Sequence, residues 1–330
     1  MKLWQTRCFK NVGLTLMALL LTTNAWGNES NKHVPFVALT AIVEHPALDS
    51  VRRGVEDVLH ENGYIAGENL KLQYQSAQGS TANAAQIAKQ FVASKPDVIV
   101  GIATPSSQAL AATTKKIPII FTAVTDPVVA KLTPSWDASK TNVTGVSDAL
   151  SLDKQIDIML KIKPDLKTVG YVYSPGEINS TIVLKELQKS LAEKGIKIIA
   201  APAQRTSDIP TAARSLKGKV DLIYTTTDNN VVSAYESLAK VANESKIPLV
   251  ASDPDLATRG AVVALGMSYY DLGRQAGEIV IRIINGEKPG DIPTQIGKTM
   301  RLVINQKAAE RQGIELSQEL LNMATETINK

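Results

Sequence analysis

The chain has 330 residues, 44% of them hydrophobic and 21% charged, with 36 Lys and Arg against 32 Asp and Glu. That balance excludes a disordered or collagen-like chain and supplies apolar material for two domains. A formal charge of +4, part of it in the first ten residues, is no argument for a nucleic-acid partner. Residues 1–27 read as a secretory signal peptide: Lys2, Arg7 and Lys10, an apolar run from Val12 to Leu21, then the small-x-small Ala25-Trp26-Gly27. The run is short for a membrane span, so a mature start near Asn28 and a periplasmic location are expected. Loss of those three cations takes the net charge from +4 to +1. Cys8, the single cysteine, lies before the apolar run rather than after it, so it is not a lipoprotein cysteine and leaves with the signal. The mature chain then has no disulfide, thiol nucleophile or cysteine metal site.

From Val34 short apolar runs alternate with amphipathic stretches. "PFVALTAI" is a strand, and "ALDSVRRGVEDVLHENG" a helix with Leu48, Val51, Val55, Val58 and Leu59 at helical spacing and Gly63 at its end. "NLKLQYQ", "DVIVGI" and "PIIFTAV" read as strands, "TANAAQIAKQFVAS" and "SSQALAATTK" as helices. The order then repeats. "TVGYVYS", "IKIIAAPAQ", "DLIYTTT" and "IPLVAS" are strands, with helices at "NSTIVLKELQKSLAEKG", "DIPTAARSLKG" and "NVVSAYESLAKVANES". Gly63 matches Gly195, Asp97 matches Asp221 and Lys116 matches Lys246, at spacings of 132, 124 and 130 residues. Two α/β domains in tandem, each a doubly wound parallel sheet, explain the pattern. After the second copy come a strand in "GAVVALG", the helix "YYDLGRQAGEIVIRIING", a strand in "RLVIN" and a last helix in "ELLNMATETI". Elements that cross back between the domains would make a hinge with a cleft beside it.

"IVEHPALDSVRRGVEDVLHENGY", "GIATPSSQAL", "FTAVTDPV", "NVTGVSD", "YSPGEINS" and "ALGMSYYDLGRQAG" together resemble the periplasmic substrate-binding proteins of ABC importers, more narrowly those linked to tryptophan and other aromatic amino acids. The similarity runs from about Val34 to the C-terminus. It implies the type I periplasmic binding protein fold: two Rossmann-like lobes, three crossover strands and a ligand closed between them. The expected division is 28–147 with about 266–293 in the first lobe, and 148–265 with about 294–330 in the second. The resemblance further implies a membrane permease as partner, an amino acid as ligand, no cofactor, no nucleic acid and a working monomer.

An α-amino acid needs donors for its carboxylate and an ionised acid for its ammonium. Thr104, Ser106 and Ser107, together with Thr125 and Asp126, stand at two adjacent strand ends where helix N-termini favour an anion. Ordinary capping would also place Ser or Thr there. Asp228, at the carboxyl end of "DLIY", is either the ammonium partner or the cap of the helix that follows; Asp253 in "ASDPD" is the corresponding acid on the next strand. In "YSPGEINS", Asn179 and Ser180 begin the helix that corresponds to "HPALDS", and the resemblance implies that they hold the polar head of the ligand. Glu177 either reaches the ammonium or sits at the rim. Candidates for the side-chain pocket are Ile42, His45, Pro46, Pro105, Val231 and Tyr269 or Tyr270; Trp136 reads as a surface loop.

No G-x-S-x-G elbow, Walker loop or G-x-G-x-x-G fingerprint is present, and His33, His45 and His60 have no metal-ligand spacing. The mature chain also lacks the cysteine pair of the amino-acid racemases built on tandem Rossmann-like domains. The reading is a non-catalytic binder. Alternatives are a receptor for a membrane sensor, a binder of a branched-chain amino acid or other solute, and a two-lobed transcription regulator, whose DNA-binding head the signal peptide would replace.

Overall fold

The structure is a computed structural model that describes residues 33–329; the expected signal segment, 1–27, lies outside the described residues. Its first five strands are β1 (Phe36–Ala41), β2 (Lys71–Ser76), β3 (Val98–Ile102), β4 (Ile119–Val124) and β5 (Val143–Ser147). β1, β3, β4 and β5 are buried at every residue, as strands covered by helices on both faces must be. The second set is β6 (Thr168–Tyr173), β7 (Lys197–Pro202), β8 (Leu222–Thr225), β9 (Leu249–Ala251) and β10 (Val263–Met267), followed by β11 (Gln295–Ile296), β12 (Met300–Asn305) and β13 (Glu326–Ile328).

Two sheets result, in the orders β11-β5-β4-β3-β1-β2 and β13-β12-β10-β9-β8-β6-β7. Among the described residues only β10 and β12 pair antiparallel. Among the described residues the chain crosses between the two lobes three times: after Ser147, after Met267 and after Ile296. The excursion between the last two crossings carries the helix Tyr269–Ile284, whose Leu272, Ala276, Ile279 and Val280 join the core of the first lobe. It lies on the helix Pro46–Glu61 so closely that a Cβ added at Gly273 would stand 2.0 Å from the carbonyl oxygen of Val51. Only a hydrogen fits there.

The internal repeat extends to side-chain roles. Gly63 and Gly195 take φ of 80° and 72° just beyond their helices, the left-handed turn that ends a helix at lowest cost. Asp97 accepts from the backbone N–H of Phe36 at 2.7 Å, and Asp221 from that of Thr168 at 2.8 Å. Each carboxylate pins the start of its lobe's first strand. The second lobe packs a core on each sheet face, one around Tyr235, Leu238 and Leu249, the other around Tyr171, Leu187 and Leu222. Each such fully buried apolar side chain contributes roughly 1.5–3 kcal/mol.

Several elements differ from expectation: β5, β11 and the helices Leu152–Ile162 and Gln306–Gln312 were not anticipated. The last helix stops at Met323, and the β-branched "TETI" end supplies β13 along β12 instead. The stretch "NVVSAYESLAKVANES" forms two helices, Asn229–Ser233 and Tyr235–Ser245, that meet at Ala234. Strand order reverses between β1 and β3 in one lobe and between β6 and β8 in the other. The carboxyl ends of these strands are where open α/β sheets bind ligands.

Candidate functional site

The strand ends of the two lobes line a narrow inner chamber with a cavity volume of about 10 Å³. His45, Ala103, Thr104 and Ala123 line it from the first lobe, Asn179, Thr227, Asn229 and Asp253 from the second, and Tyr269 from the returning helix. An outer chamber with a cavity volume of about 120 Å³ lies towards the crossovers, walled by Trp136, Leu150, Ile182 and Val183, with Asp126, Asp148 and Glu186 among its polar groups. Thr227 lines both.

On the first-lobe side the helix Thr104–Thr113 starts at the chamber, and no side chain caps it. Its first N–H groups and its dipole favour an anion there. Ser106, in the same first turn, is fully buried with no partner for its hydroxyl. Ala103 and Ala123, the residues that close β3 and interrupt β4, hold φ of 70° and 53°. That region is unfavourable for any side chain and recurs where the backbone must approach a ligand. His45 caps the helix Pro46–Glu61 by accepting from Leu48 N at 3.4 Å through Nδ1. Burial, reinforced by the charge of Arg259, pushes its pKa down to about 4. With Nδ1 accepting from Leu48, the neutral ring carries its proton on Nε2, and the side chain of Asn229 lies within hydrogen-bonding reach of the ring.

The second-lobe side supplies acceptors. Asp253 uses Oδ1 to accept from Asp255 N at 3.0 Å, and burial, then the charge of Asp255, pushes its pKa up to about 7. Asn179 donates to Glu177 and to the carbonyl of Thr227, which leaves its buried Oδ1 without a partner. Glu177 stands behind this wall. It accepts from Asn179, from Asn229 N at 3.1 Å and from Asn229 Nδ2 at 2.7 Å, and burial, then the Asp228 charge, raises its pKa to about 7. Glu177 thus orients two amides that face the chamber.

The expected residues fall into three groups. Thr104, Asn179, His45, Tyr269 and Asp253 come together at the inner chamber, and Thr125 and Asp126 at the outer one. Asp126 also accepts from Val128 N and Val129 N within its own turn. The rest turn elsewhere. Asp228 is fully buried and accepts from Ser174 N at 2.6 Å, Ser174 Oγ at 2.8 Å and Val231 N at 3.1 Å, so it works as a cap and clamp inside the second lobe. Ser107 donates to Gly101 O and Ala103 O, and Ser180 bonds Tyr171. Ile42 and Val231 belong to the two cores. Pro46 is exposed and Pro105 half-buried in their helices' first turns, and Tyr270 reaches out to Asp57 at 2.7 Å. Trp136, expected on the surface, is half-buried against the outer chamber.

Sequence reasoning missed Thr227, Asn229 and Asp148. Thr227 meets Thr125 across the lobes at 3.4 Å. Asp148 follows β5 at the first crossover and accepts from the hydroxyl of Tyr269 at 3.0 Å. It is 4% exposed, its Oδ1 has no hydrogen-bond partner, and burial raises its pKa. The stretch "NVTGVSD" was its signal in the sequence. Among the described residues no cluster of three or more His, Cys, Asp or Glu could hold a metal, and no helix is long and apolar enough to cross a membrane.

The family model described as ABC transporter substrate binding protein matches residues 36–328. A tyrosine-binding protein of Clostridioides difficile is 38% identical over 270 residues, which cover 82% of this chain and 78% of that protein. An ABC domain from Streptococcus pneumonia, solved in complex with L-Trp, is 31% identical and overlays with a TM-score of 0.86, covering 90% of this chain and all of that one. The ligand-free, open structure of a substrate-binding protein with adhesive properties from Clostridium difficile is 34% identical, with a TM-score of 0.68 over 89% of this chain and 99% of that one. This chain overlays better on the L-Trp complex than on the open structure, and its two lobes touch at the hydroxyls of Thr125 and Thr227.

Proposed function

Because this chain belongs to the family of ABC transporter substrate-binding proteins, we propose that it captures an aromatic amino acid between its lobes in the periplasm, after export by a cleaved signal peptide, and presents it to the membrane permease of an ABC importer. One observation carries the reading: across the inner chamber, an uncapped helix start at Thr104 opposes the acceptors Asp253 and Asn179. An α-amino acid is a dipole of that sense. Its carboxylate takes the helix N–H groups, with Thr104 and His45 Nε2 as further donors. Its ammonium donates to Asp253 and to Asn179 Oδ1. The tyrosine-binding relative and the L-Trp complex support an aromatic side chain, for which the apolar walls of the outer chamber leave room.

The protein works as a monomer without catalytic chemistry. The first lobe comprises the residues up to Ser147 and the excursion from Ser268 to Ile296, and the second lobe comprises the remainder. Only the closed arrangement makes both sets of contacts, so the ligand shifts the population towards it. Titration calorimetry of protein unfolded and refolded to strip carried-over ligand tests the reading. One-to-one binding of tyrosine or tryptophan is expected; no heat with any amino acid would refute it.

A further inference from the structure

Asp148 is a buried acid that does not line the inner chamber. Asp253 and Asn179 already offer the inner chamber its acceptors, whereas Asp148 lines the outer chamber among Trp136, Leu150, Ile182 and Val183. One of its oxygens accepts from Tyr269; the other, Oδ1, has no partner. The hydroxyls of Thr125 and Thr227 lie near enough to favour its ionised form and stand 3.4 Å from each other. The polar groups of this chamber include the carboxylates of Asp126, Asp148 and Glu186, and among the described residues no Lys or Arg lines it. A group that enters it is therefore asked for an apolar body and a hydrogen to donate, and refused if it brings an anion.

We propose that Asp148 determines specificity: its unpaired oxygen receives the ring N–H or O–H of the bound aromatic amino acid, so that tyrosine or tryptophan is accepted and phenylalanine is excluded. The inference rests on the reading of the inner chamber as the head-group site. A site built around a buried acceptor discriminates strongly, because a ligand that lacks the donor leaves the acceptor desolvated and unpaired. Phenylalanine differs from tyrosine by that single hydroxyl. Tyr269 acts as a positioning residue that holds the carboxylate so that Oδ1 is the free oxygen.

The test is calorimetric titration of tyrosine, tryptophan and phenylalanine into the full chain and two variants, with unfolding midpoints as the folding control. The wild type should bind phenylalanine at least about a hundredfold more weakly than the preferred of the other two. In Asp148→Asn the amide turns an N–H towards the ligand donor while its oxygen keeps Tyr269; the gap should narrow at least tenfold through loss of tyrosine and tryptophan, with phenylalanine unchanged. The double variant Asp148→Leu with Tyr269→Phe removes both polar partners and should bind phenylalanine at least as well as tyrosine. Phenylalanine within threefold of the others in the wild type would overturn the proposal. So would an equal loss of all three ligands in Asp148→Asn, which would assign Asp148 to the ammonium they share. If none of the three binds the wild type, the head-group reading itself falls.

Discussion

Thr125, at the end of β4, meets Thr227, just beyond β8, hydroxyl to hydroxyl at 3.4 Å across the cleft. One residue belongs to each lobe, so the bond exists only while the lobes are closed. It contributes to closure and, through closure, to affinity, without adding to the stability of either lobe. Thr227→Val should weaken ligand binding about three- to tenfold, the worth of one neutral hydrogen bond, and leave the unfolding midpoint of the ligand-free protein unchanged. Calorimetry paired with thermal unfolding reads both; a lowered ligand-free midpoint would place the bond inside the folding unit instead.

Asp228 has a different job from its neighbour. Its carboxylate satisfies Ser174 N, the Ser174 hydroxyl and Val231 N, and none of it is exposed. Asp228→Ala strands two buried N–H groups and should cost about 2–5 kcal/mol, which lowers the midpoint by roughly 5–10 °C in a chain of this size. Asp253→Asn, at the chamber, should do the reverse: weaken binding at least tenfold with little loss of stability. A chemical denaturation curve for each, set beside its titration, separates the roles. A stable Asp228→Ala that no longer binds would return Asp228 to the ligand.

That division between neighbours shows where sequence stops speaking. The sheets were legible because β1, β3 and β4 are largely apolar runs, broken only by Thr40 and Thr122, and because Gly63 and Gly195, Asp97 and Asp221 repeat their roles a domain apart. Hydroxyls and acids at strand ends were legible as a class. Which of Thr227 and Asp228 faces the cleft depends on one residue of backbone rotation after β8, and both fit the pattern "TTTDNN". Asp148 and Tyr269 were harder still: 121 residues separate them, and only the crossovers bring them together. Trp136 is likewise fixed by tertiary packing, since its backbone carbonyl accepts from Thr294 N, far along the chain.

The returning helix is held by the absence of side chains. A methyl at Gly273 would stand 2.0 Å from Val51 O and one at Gly54 2.3 Å from Tyr270 O, both against backbone that cannot swing aside. Gly273→Ala must push the two helices apart, at a cost of roughly 1–3 kcal/mol typical of overpacking. The same helix places Tyr269 in the cleft, so binding should weaken in step with stability. An Ala variant with an unchanged midpoint in a thermal scan would mean that the helices do not pack this closely in solution.

Protonation of Asp253 couples ligand capture to pH. Its pKa is about 7 against an ordinary 3.8. The stability it contributes is fully present below its ordinary pKa and is lost as pH rises through 7, because the buried carboxylate must then ionise out of water and beside Asp255 and Asp148, which the charge of Arg259 only partly offsets. His45, held down to about 4 from 6.5, works in the opposite sense over much of the same range, so the readout is the difference between wild type and Asp253→Asn. The ammonium of a bound amino acid would restore the charged form of Asp253, and binding between about pH 5 and 7 should therefore release protons and tighten as pH rises. Calorimetry in two buffers of different ionisation enthalpy measures that release directly. Equal heats in both buffers for the wild type, or the same proton release in Asp253→Asn, would remove Asp253 as the ammonium's partner.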